Sequence, residues 1–452
     1  MRVIPSMLLT AAACAVSMAG KSWGEAGAAA TTGAAVTAFP SRQEIIEATM
    51  RPYTGKSVKG VDTSTLVGKV MCGYQGWFAC EGDGSQTGWN HYVKQGKFEP
   101  GSCNIDFWPD VSGLDTDEKY ATPFRHADRR TAYMFSSYNR KTVLRHFQWM
   151  RDYGIDGAFV QRFGVSTNND KQFNRVNVVL SHCREGANLA GCAYAVMYDL
   201  SGMKAGQIDR VIEDWRLLVS RMGITRDKAD HAYLHHKGKP VVTIWGPGFK
   251  DREIGPAECG RLVDFLKNDR DCGGCAVMLG VPTGWRTLTR DSVNDKTLLD
   301  LIAKADIVSP WTVGRYRDPE GAAQHAKTFW APDMAFCREH GQDYLPVVFP
   351  GFSWHNKFSD APLNAIPRMK GQFLWSQYVE AKRAGATMIY QAMFDEMDEG
   401  TCVFKCENDA PVGASPFVTY EGLPSDHYLW LVGQGGRMLR GEIEATEAMP
   451  KK

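Results

Sequence analysis

The sequence predicts an α/β protein built as a (β/α)8 TIM barrel, and three observations carry that expectation. Short β-branched or apolar runs begin at residue 70 and recur eight times up to residue 394. Amphipathic stretches of helical length lie between them, the rhythm of βα units around a parallel sheet. Eight is the number of strands at which such a sheet closes into a barrel. An open doubly wound sheet is the alternative, but the Gly-rich phosphate fingerprint expected after its first strand is missing.

In chain order the strand runs are 70–74, 157–160, 193–198, 241–245, 276–280, 307–309, 347–349 and 387–394, with a long insertion after the first reaching to about 140. Helical pattern falls at 142–153, where Val143, Leu144, Phe147, Trp149 and Met150 are the apolar positions. It returns at 209–222, 257–266 and 373–384, and 426–432 supplies the eighth helix. The barrel thus spans 69–432, and 433–452 is read as a C-terminal tail. Residues 20–68, rich in Ala, Gly and Thr and then mixed polar, are read as a linker and irregular lead-in.

Residues 1–19 read as an export signal: Arg2 is the positive start, an apolar run follows, and Ser17-Met18-Ala19 offers a small-residue cleavage site. That run is too short to span a bilayer, so no transmembrane segment is expected. Export to a periplasmic or extracellular space follows. A lipid anchor on Cys14 is the weaker reading, because Ala11 stands where a lipobox carries a larger aliphatic residue. Export makes the remaining eleven cysteines disulfide candidates, with Cys183/Cys192 and Cys402/Cys406 as short-loop pairs. Cys272-Gly-Gly-Cys275 lacks a second CxxC or a His-rich partner, so no metal site is assigned.

A formal net charge of +1 with no basic block excludes a nucleic-acid binder. Thirteen Trp, 16 Tyr and 21 Phe instead suit sugar rings, whose C–H patches lie flat on aromatic faces. In a barrel, catalytic groups sit at the C-terminal strand ends. Those ends carry Tyr74 and Trp77, Gln161 and Arg162, Tyr198 and Asp199, then Trp245. Thr283 and Trp285, Trp311 and Tyr316, and Ser353-Trp354-His355 continue the series, which ends at 395–399. Of these, Tyr74, Trp77, Asp199, Trp245, Trp311, Tyr316, Trp354 and His355 are the candidate substrate contacts.

The run Phe394-Asp-Glu-Met-Asp-Glu-Gly-Thr401 places four carboxylates within five residues after an apolar strand. Such crowding is tolerated when the groups are solvated, bind a cation, or need different pKa values for catalysis. Glycoside cleavage needs one carboxyl as proton donor and a second as base or nucleophile. Residues three apart on a helical turn lie about 5–6 Å apart at Cβ, so Glu396 and Glu399 form the candidate pair, at a separation suited to retention.

The segment Glu396-Met-Asp-Glu399-Gly-Thr401 resembles the Glu-x-x-Glu-Gly-Thr motif of endo-α-mannosidases, glycoside hydrolase family 99. The chain from about 67 to 432 is similar to a bacterial branch related to families 99 and 71, often labelled xylosidase/arabinosidase. Gly73-Tyr-Gln-Gly-Trp77, Asp106-Phe-Trp-Pro-Asp110, Ser309-Pro-Trp-Thr-Val-Gly314 and Pro350-Gly-Phe-Ser-Trp-His-Asn356 support the likeness. The resemblance implies Glu396 as base on the sugar 2-hydroxyl, a 1,2-anhydro intermediate, and Glu399 as acid and then base. It matches Tyr74 and Trp77 to an aromatic turn and Asp199 to a sugar-contacting Glu. It implies an oligosaccharide or polysaccharide substrate and no cofactor. Two departures bear on the sugar: Met397-Asp398 replaces Trp-His, and Asp199 is shorter than Glu.

Other groups read more plainly. Adjacent strand residues point to opposite faces, so His235-His236 is not a metal pair. Ser353 and His355 lack a nucleophile elbow. Arg162 fits a supporting ion pair, and Asp106 fits either a subsite or a loop anchor. A non-catalytic carbohydrate-binding barrel is the second reading, and a cation-binding acidic turn is a weaker third.

Overall fold

The structure, a computed structural model, describes residues 39–452; the export signal expected at 1–19, Cys14, and the linker up to residue 38 lie outside the described residues. The lead-in holds a helix, α1 (Arg42–Thr49), started by a capping box in which Ser41 and Glu44 satisfy each other's backbone N–H. β1 (Val70–Tyr74) opens the barrel, and the insertion after it folds a hairpin, β2 (Tyr120–Arg125) with β3 (Thr131–Met134). Then come α2 (Arg140–Tyr153), β4 (Gly157–Phe163), α3 (Asp170–Ala190), β5 (Ala193–Asp199) and α4 (Ile208–Ser220). A two-residue β6 (His235–His236) turns back onto β7 (Lys239–Trp245), followed by α5 (Pro256–Asn268), β8 (Ala276–Val281) and α6 (Thr297–Ile302). β9 (Ile307–Pro310), α7 (Pro319–His325), α8 (Ala331–Glu339), β10 (Asp343–Tyr344) and β11 (Val347–Val348) continue the chain. It ends with α9 (Gln372–Arg383), β12 (Ile389–Gln391) and α10 (His427–Leu439).

The sheet runs β10-β9-β8-β7-β5-β4-β1-β12-β11, with every neighbour along it parallel. β10 and β11 are two pieces of one stretch, broken at Leu345-Pro346. Leu345 N still donates to Val308 O and Pro346 O accepts from Tyr390 N, both at 2.9 Å. Both ends of the sheet therefore meet on one strand, and eight parallel strand positions close the ring. All eight expected strands are present.

Alternation along the strands sorts side chains into barrel interior and helix layer. Across the interior, Phe159 stacks on Tyr390 with ring centroids 5.4 Å apart, and Gln161 Nε2 lies 3.3 Å from both Tyr390 Oη and Met197 Sδ. A Cβ at Gly73 would meet Tyr390 Oη at 2.2 Å and Met393 Sδ at 2.3 Å, so any side chain at this strand position would have to displace both. Outside, Trp215 on α4 is fully buried; its truncation to Ala would cost about 3–5 kcal/mol. α2 and α3 each start on an asparagine cap and stop at a left-handed glycine, Gly154 and Gly191.

Three expectations need correction. The lead-in is not wholly irregular, because α1 lies within it. The tail does not start at 433, because α10 runs on to Leu439; beyond it, Thr446 O accepts from the Trp375 indole at 2.9 Å. The eleven described cysteines are buried free thiols, so neither Cys183/Cys192 nor Cys402/Cys406 is bridged; the last two sulfurs lie 3.7 Å apart. Among the described residues, no helix is long and apolar enough to cross a membrane.

Candidate active site

The chain after β12 forms a tight turn rather than a helix. Thr401 N and Cys402 N both return to Glu396 O at 3.2 Å, and Gly400 turns the corner at φ +67°. A Cβ there would sit 2.8 Å from Ser353 N, so glycine is needed for both conformation and space. This turn brings four carboxylates to the C-terminal edge of the barrel, each in a different setting.

Asp395 is fully buried and accepts from Gln75 N at 2.8 Å and Gly76 N at 2.9 Å, tying the turn to the loop after β1. Burial pushes its carboxyl up to about 7 even against those two donors. Glu396 is buried as well: Oε1 accepts from Gln75 Nε2 and Oε2 from Thr401 Oγ1, both at 2.8 Å. Burial, then the neighbouring Glu399 and Asp398, hold its pKa well above the usual carboxylate range. Burial also pushes Asp398 up, but Lys357 and His91 outweigh it and keep this carboxyl low. Lys357 Nζ lies 3.5 Å from Asp398 Oδ2 and 3.6 Å from Glu399 Oε1. Glu399 is the more open member, with 18% of its side chain exposed, and burial raises it against the pull of Lys357.

The structure gathers most of the candidate contacts around this turn and along the adjoining strand ends. Trp77 stacks on His91 with centroids 3.8 Å apart, and His91 Nδ1 lies 3.4 Å from Asp398 Oδ2. Trp354 packs between Phe352 and Phe358 in the loop after β11, beneath the Lys357 ammonium. Asp199 ends β5 beside Trp245 on β7 and accepts from Ser201 N at 2.7 Å. Burial raises its pKa against Ser201 and Arg252. Trp245 meets Trp311 edge-on at 5.5 Å, and Trp311 meets Tyr390 edge-on at 6.0 Å. These rings make a continuous aromatic wall from β7 to β12.

Other candidates are placed elsewhere. Tyr74 is fully buried on the helix side of β1, its hydroxyl 3.0 Å from His146 Nδ1 on α2. Tyr316 donates to Gln377 on α9 at 2.9 Å and packs among Phe349, Phe373 and Trp330. Neither belongs to the group facing the barrel mouth. His355 is held within its own loop, Nδ1 2.8 Å from Ala361 O. Trp285 is buried against Asp333 of α8. Arg162 forms the supporting ion pair, bound by both oxygens of Asp214 at 2.6 Å. Asp106 is a loop anchor: it accepts from Ser353 Oγ, His355 N and Asn356 N. His235 and His236 diverge, with only His236 bonded to Asp343.

Sequence reasoning missed Gln75, His91, Tyr390, Arg252 and Lys357. Gln75 sits inside the Gly73–Trp77 motif and Lys357 directly follows Asn356, so position relative to the motifs was the available signal. A cation loop fits poorly here, because the oxygens of Asp395 and Glu396 are occupied by N–H and O–H donors. Several polar atoms along the mouth are buried without a protein partner: Gln75 Oε1, Trp77 Nε1, Gln161 Oε1 and Trp245 Nε1. Orphaned donors and acceptors beside aromatic faces suit a polyhydroxylated ligand.

No known family profile and no curated protein matches the sequence. Solved structures do. The chain is similar to the family 99 endo-α-mannosidase of Bacteroides thetaiotaomicron, at 16% identity and a TM-score of 0.59, over 83% of this chain and 99% of that one. The same protein in complex with bis-tris-propane matches at 15% identity and a TM-score of 0.59. A protein described as glycoside hydrolase-like covers 86% of this chain at 12% identity and a TM-score of 0.49. The closed ring and the two endo-α-mannosidase structures agree: this chain has a TIM-barrel fold of the kind found in family 99 endo-α-mannosidases.

Proposed function

We propose that the protein is a retaining glycoside hydrolase acting on α-linked mannosides or a related polysaccharide, with Glu396 and Glu399 as its catalytic pair. One observation carries the reading. Two carboxyls three residues apart sit at the strand-end edge in unequal settings, Glu396 buried between Gln75 and Thr401, Glu399 more open beside Lys357. Pairs held in unequal environments are how one site supplies an acid and a base together.

Glu396 takes the proton from the sugar 2-hydroxyl, and its raised proton affinity makes it the stronger base once ionised. The freed oxygen attacks the anomeric carbon as the glycosidic C–O bond breaks, giving a 1,2-anhydro sugar. Glu399 gives its proton to the leaving oxygen. Water then opens the three-membered ring at the anomeric carbon. Glu399 takes the water proton, and Glu396 returns its own to O2, leaving both groups as they began. Asp199, Trp245, Trp311 and Trp354 supply hydrogen bonding and stacking for the sugar chain.

The test is a screen of the purified protein against mannans, other polysaccharides and aryl glycosides, with products analysed by mass. The reading expects cleavage of an α-mannoside-containing substrate with retained anomeric configuration. Binding of glycans without any product would favour a non-catalytic barrel instead, and product of inverted configuration would overturn the mechanism.

A further inference from the structure

The loop after β11 is held by hydrogen bonds from the β1 insertion, from Pro416 and from the acidic turn. Asp106, from the β1 insertion, binds Ser353 Oγ at 2.5 Å and the N–H groups of His355 and Asn356 at 2.8 Å. Asn356 Nδ2 donates to Ile105 O at 2.9 Å and Pro416 O at 2.7 Å, and Lys94 Nζ to Asn356 O at 2.6 Å. Ser353 N donates to Glu399 O at 3.0 Å, joining this loop to the acidic turn. The residue delivered by all this is Lys357. Its side chain is 11% exposed, and its ammonium lies between Asp398 and Glu399 and over the Trp354 ring.

We propose that Lys357 is the positioning residue for the acid/base Glu399. Its ammonium neutralises Asp398 and holds Glu399 toward the mouth, so that Glu399 releases its proton without leaving three carboxylates uncompensated. This rests on the reading of Glu396 and Glu399 as the catalytic pair. It also accounts for a local departure from the family motif: Asp398 stands where the mannosidase motif has His, and Lys357 and His91 are its partners.

The charged and titratable groups around Lys357 come from several elements. The acidic turn presents Asp398, Glu399 and Glu396, with Asp395 behind them. The β1 insertion presents His91 against Asp398, and Arg175 on α3 acts on His91 in turn. Within the loop side lie Lys94, Asp106 and His355. Among the described residues, Lys357 is the one cation within salt-bridge distance of both Asp398 and Glu399.

The sign of the effect is fixed. Taking away a cation disfavours the ionised carboxylate, so Glu399 in a Lys357→Met protein keeps its proton to higher pH. The alkaline limb of the pH–rate profile is expected to move up by about one pH unit, with kcat reduced roughly tenfold and KM nearly unchanged. Lys357→Arg is expected to restore the wild-type limb. A packing role alone would lower activity or melting temperature and leave the limb where it was.

A readout independent of turnover completes the test. Side-chain carboxyls of 13C-glutamate-labelled wild-type and Lys357→Met proteins are titrated by NMR, with Glu396→Gln and Glu399→Gln giving the assignments. The Glu399 midpoint is expected to rise by about one pH unit in Lys357→Met. An unchanged midpoint in a protein that melts like wild type overturns the proposal. A raised Glu399 midpoint in Lys357→Met, together with a wild-type protein that cleaves no glycoside, would sink the catalytic reading while leaving the Lys357 pairing in place.

Discussion

Two sectors of the barrel mouth are built on opposite plans. Around β12 and the loop after β1, two carboxylates have both oxygens occupied, Asp395 by backbone N–H groups and Glu396 by side chains, while Asp398 Oδ1, Gln75 Oε1 and Trp77 Nε1 keep no protein partner. Around β4, β5 and β7, buried polar atoms such as Gln161 Oε1 and Trp245 Nε1 have no protein partner, and aromatic faces surround them. The first sector fixes where protons sit; the second leaves its hydrogen-bonding capacity for something brought from outside. Chemistry and grip are therefore separable, and substitutions should separate them.

The largest effect is expected in the first sector. Glu399→Gln should lower cleavage of a polysaccharide by about 10²–10⁴-fold, since the leaving oxygen then departs unprotonated. An aryl glycoside with a good leaving group should lose far less in its first step, which burst kinetics would reveal. The pH dependence follows the same logic. Burial and neighbouring charge raise the proton affinity of Glu396, so the base becomes ionised only above the usual carboxylate range. The acid limb of kcat/KM is thus expected above the usual carboxylate range in a rate–pH series.

Next comes Asp395→Asn. Its two partners are backbone N–H groups that cannot reverse direction, and an amide offers them one acceptor and one opposing donor. A loss of about 1–3 kcal/mol in denaturant unfolding is expected, with activity falling alongside. In the second sector, Trp245→Ala or Trp311→Ala should raise KM about tenfold with kcat little changed, and should also lower the melting temperature, because each ring packs against its neighbours in the wall. The smallest effect is expected at Tyr74→Phe. Its hydroxyl serves His146 in the helix layer, so about 1 kcal/mol of stability should go and KM should stay. A large KM change there would return Tyr74 to the mouth.

That last contrast shows what the sequence did and did not reveal. Parallel barrel strands are buried on both faces and read as continuous apolar runs, so all eight were visible from Val70 onward. The same continuity erases the alternation that would say which residue points inward. Tyr74 and Asp199 both stand at strand ends, yet one faces α2 and the other the mouth. Glu396 and Glu399 were legible because they are neighbours in one turn. Lys357 and His91 were not, since their approach to Asp398 depends on the loop after β11 and the β1 insertion folding against each other. α1 escaped notice because its single capping box, Ser41 with Glu44, follows an Ala-rich stretch and precedes only two turns of helix.

The proposed chemistry depends most on Glu396, and a near-isosteric change tests that role directly. In Glu396→Gln, Gln75 can turn its amide and Thr401 its hydroxyl, so both hydrogen bonds have a route to survive. The raised proton affinity of Glu396 means its ionised form weakens the folded state above the ordinary carboxylate pKa, a cost the amide does not carry. The decisive measurement is the cleavage rate of the Glu396→Gln protein on the best polysaccharide substrate, taken with its melting temperature at neutral pH. Loss of cleavage to background, with melting at or above the wild-type value, is the predicted result. A wild-type rate in a folded Glu396→Gln protein would contradict the account.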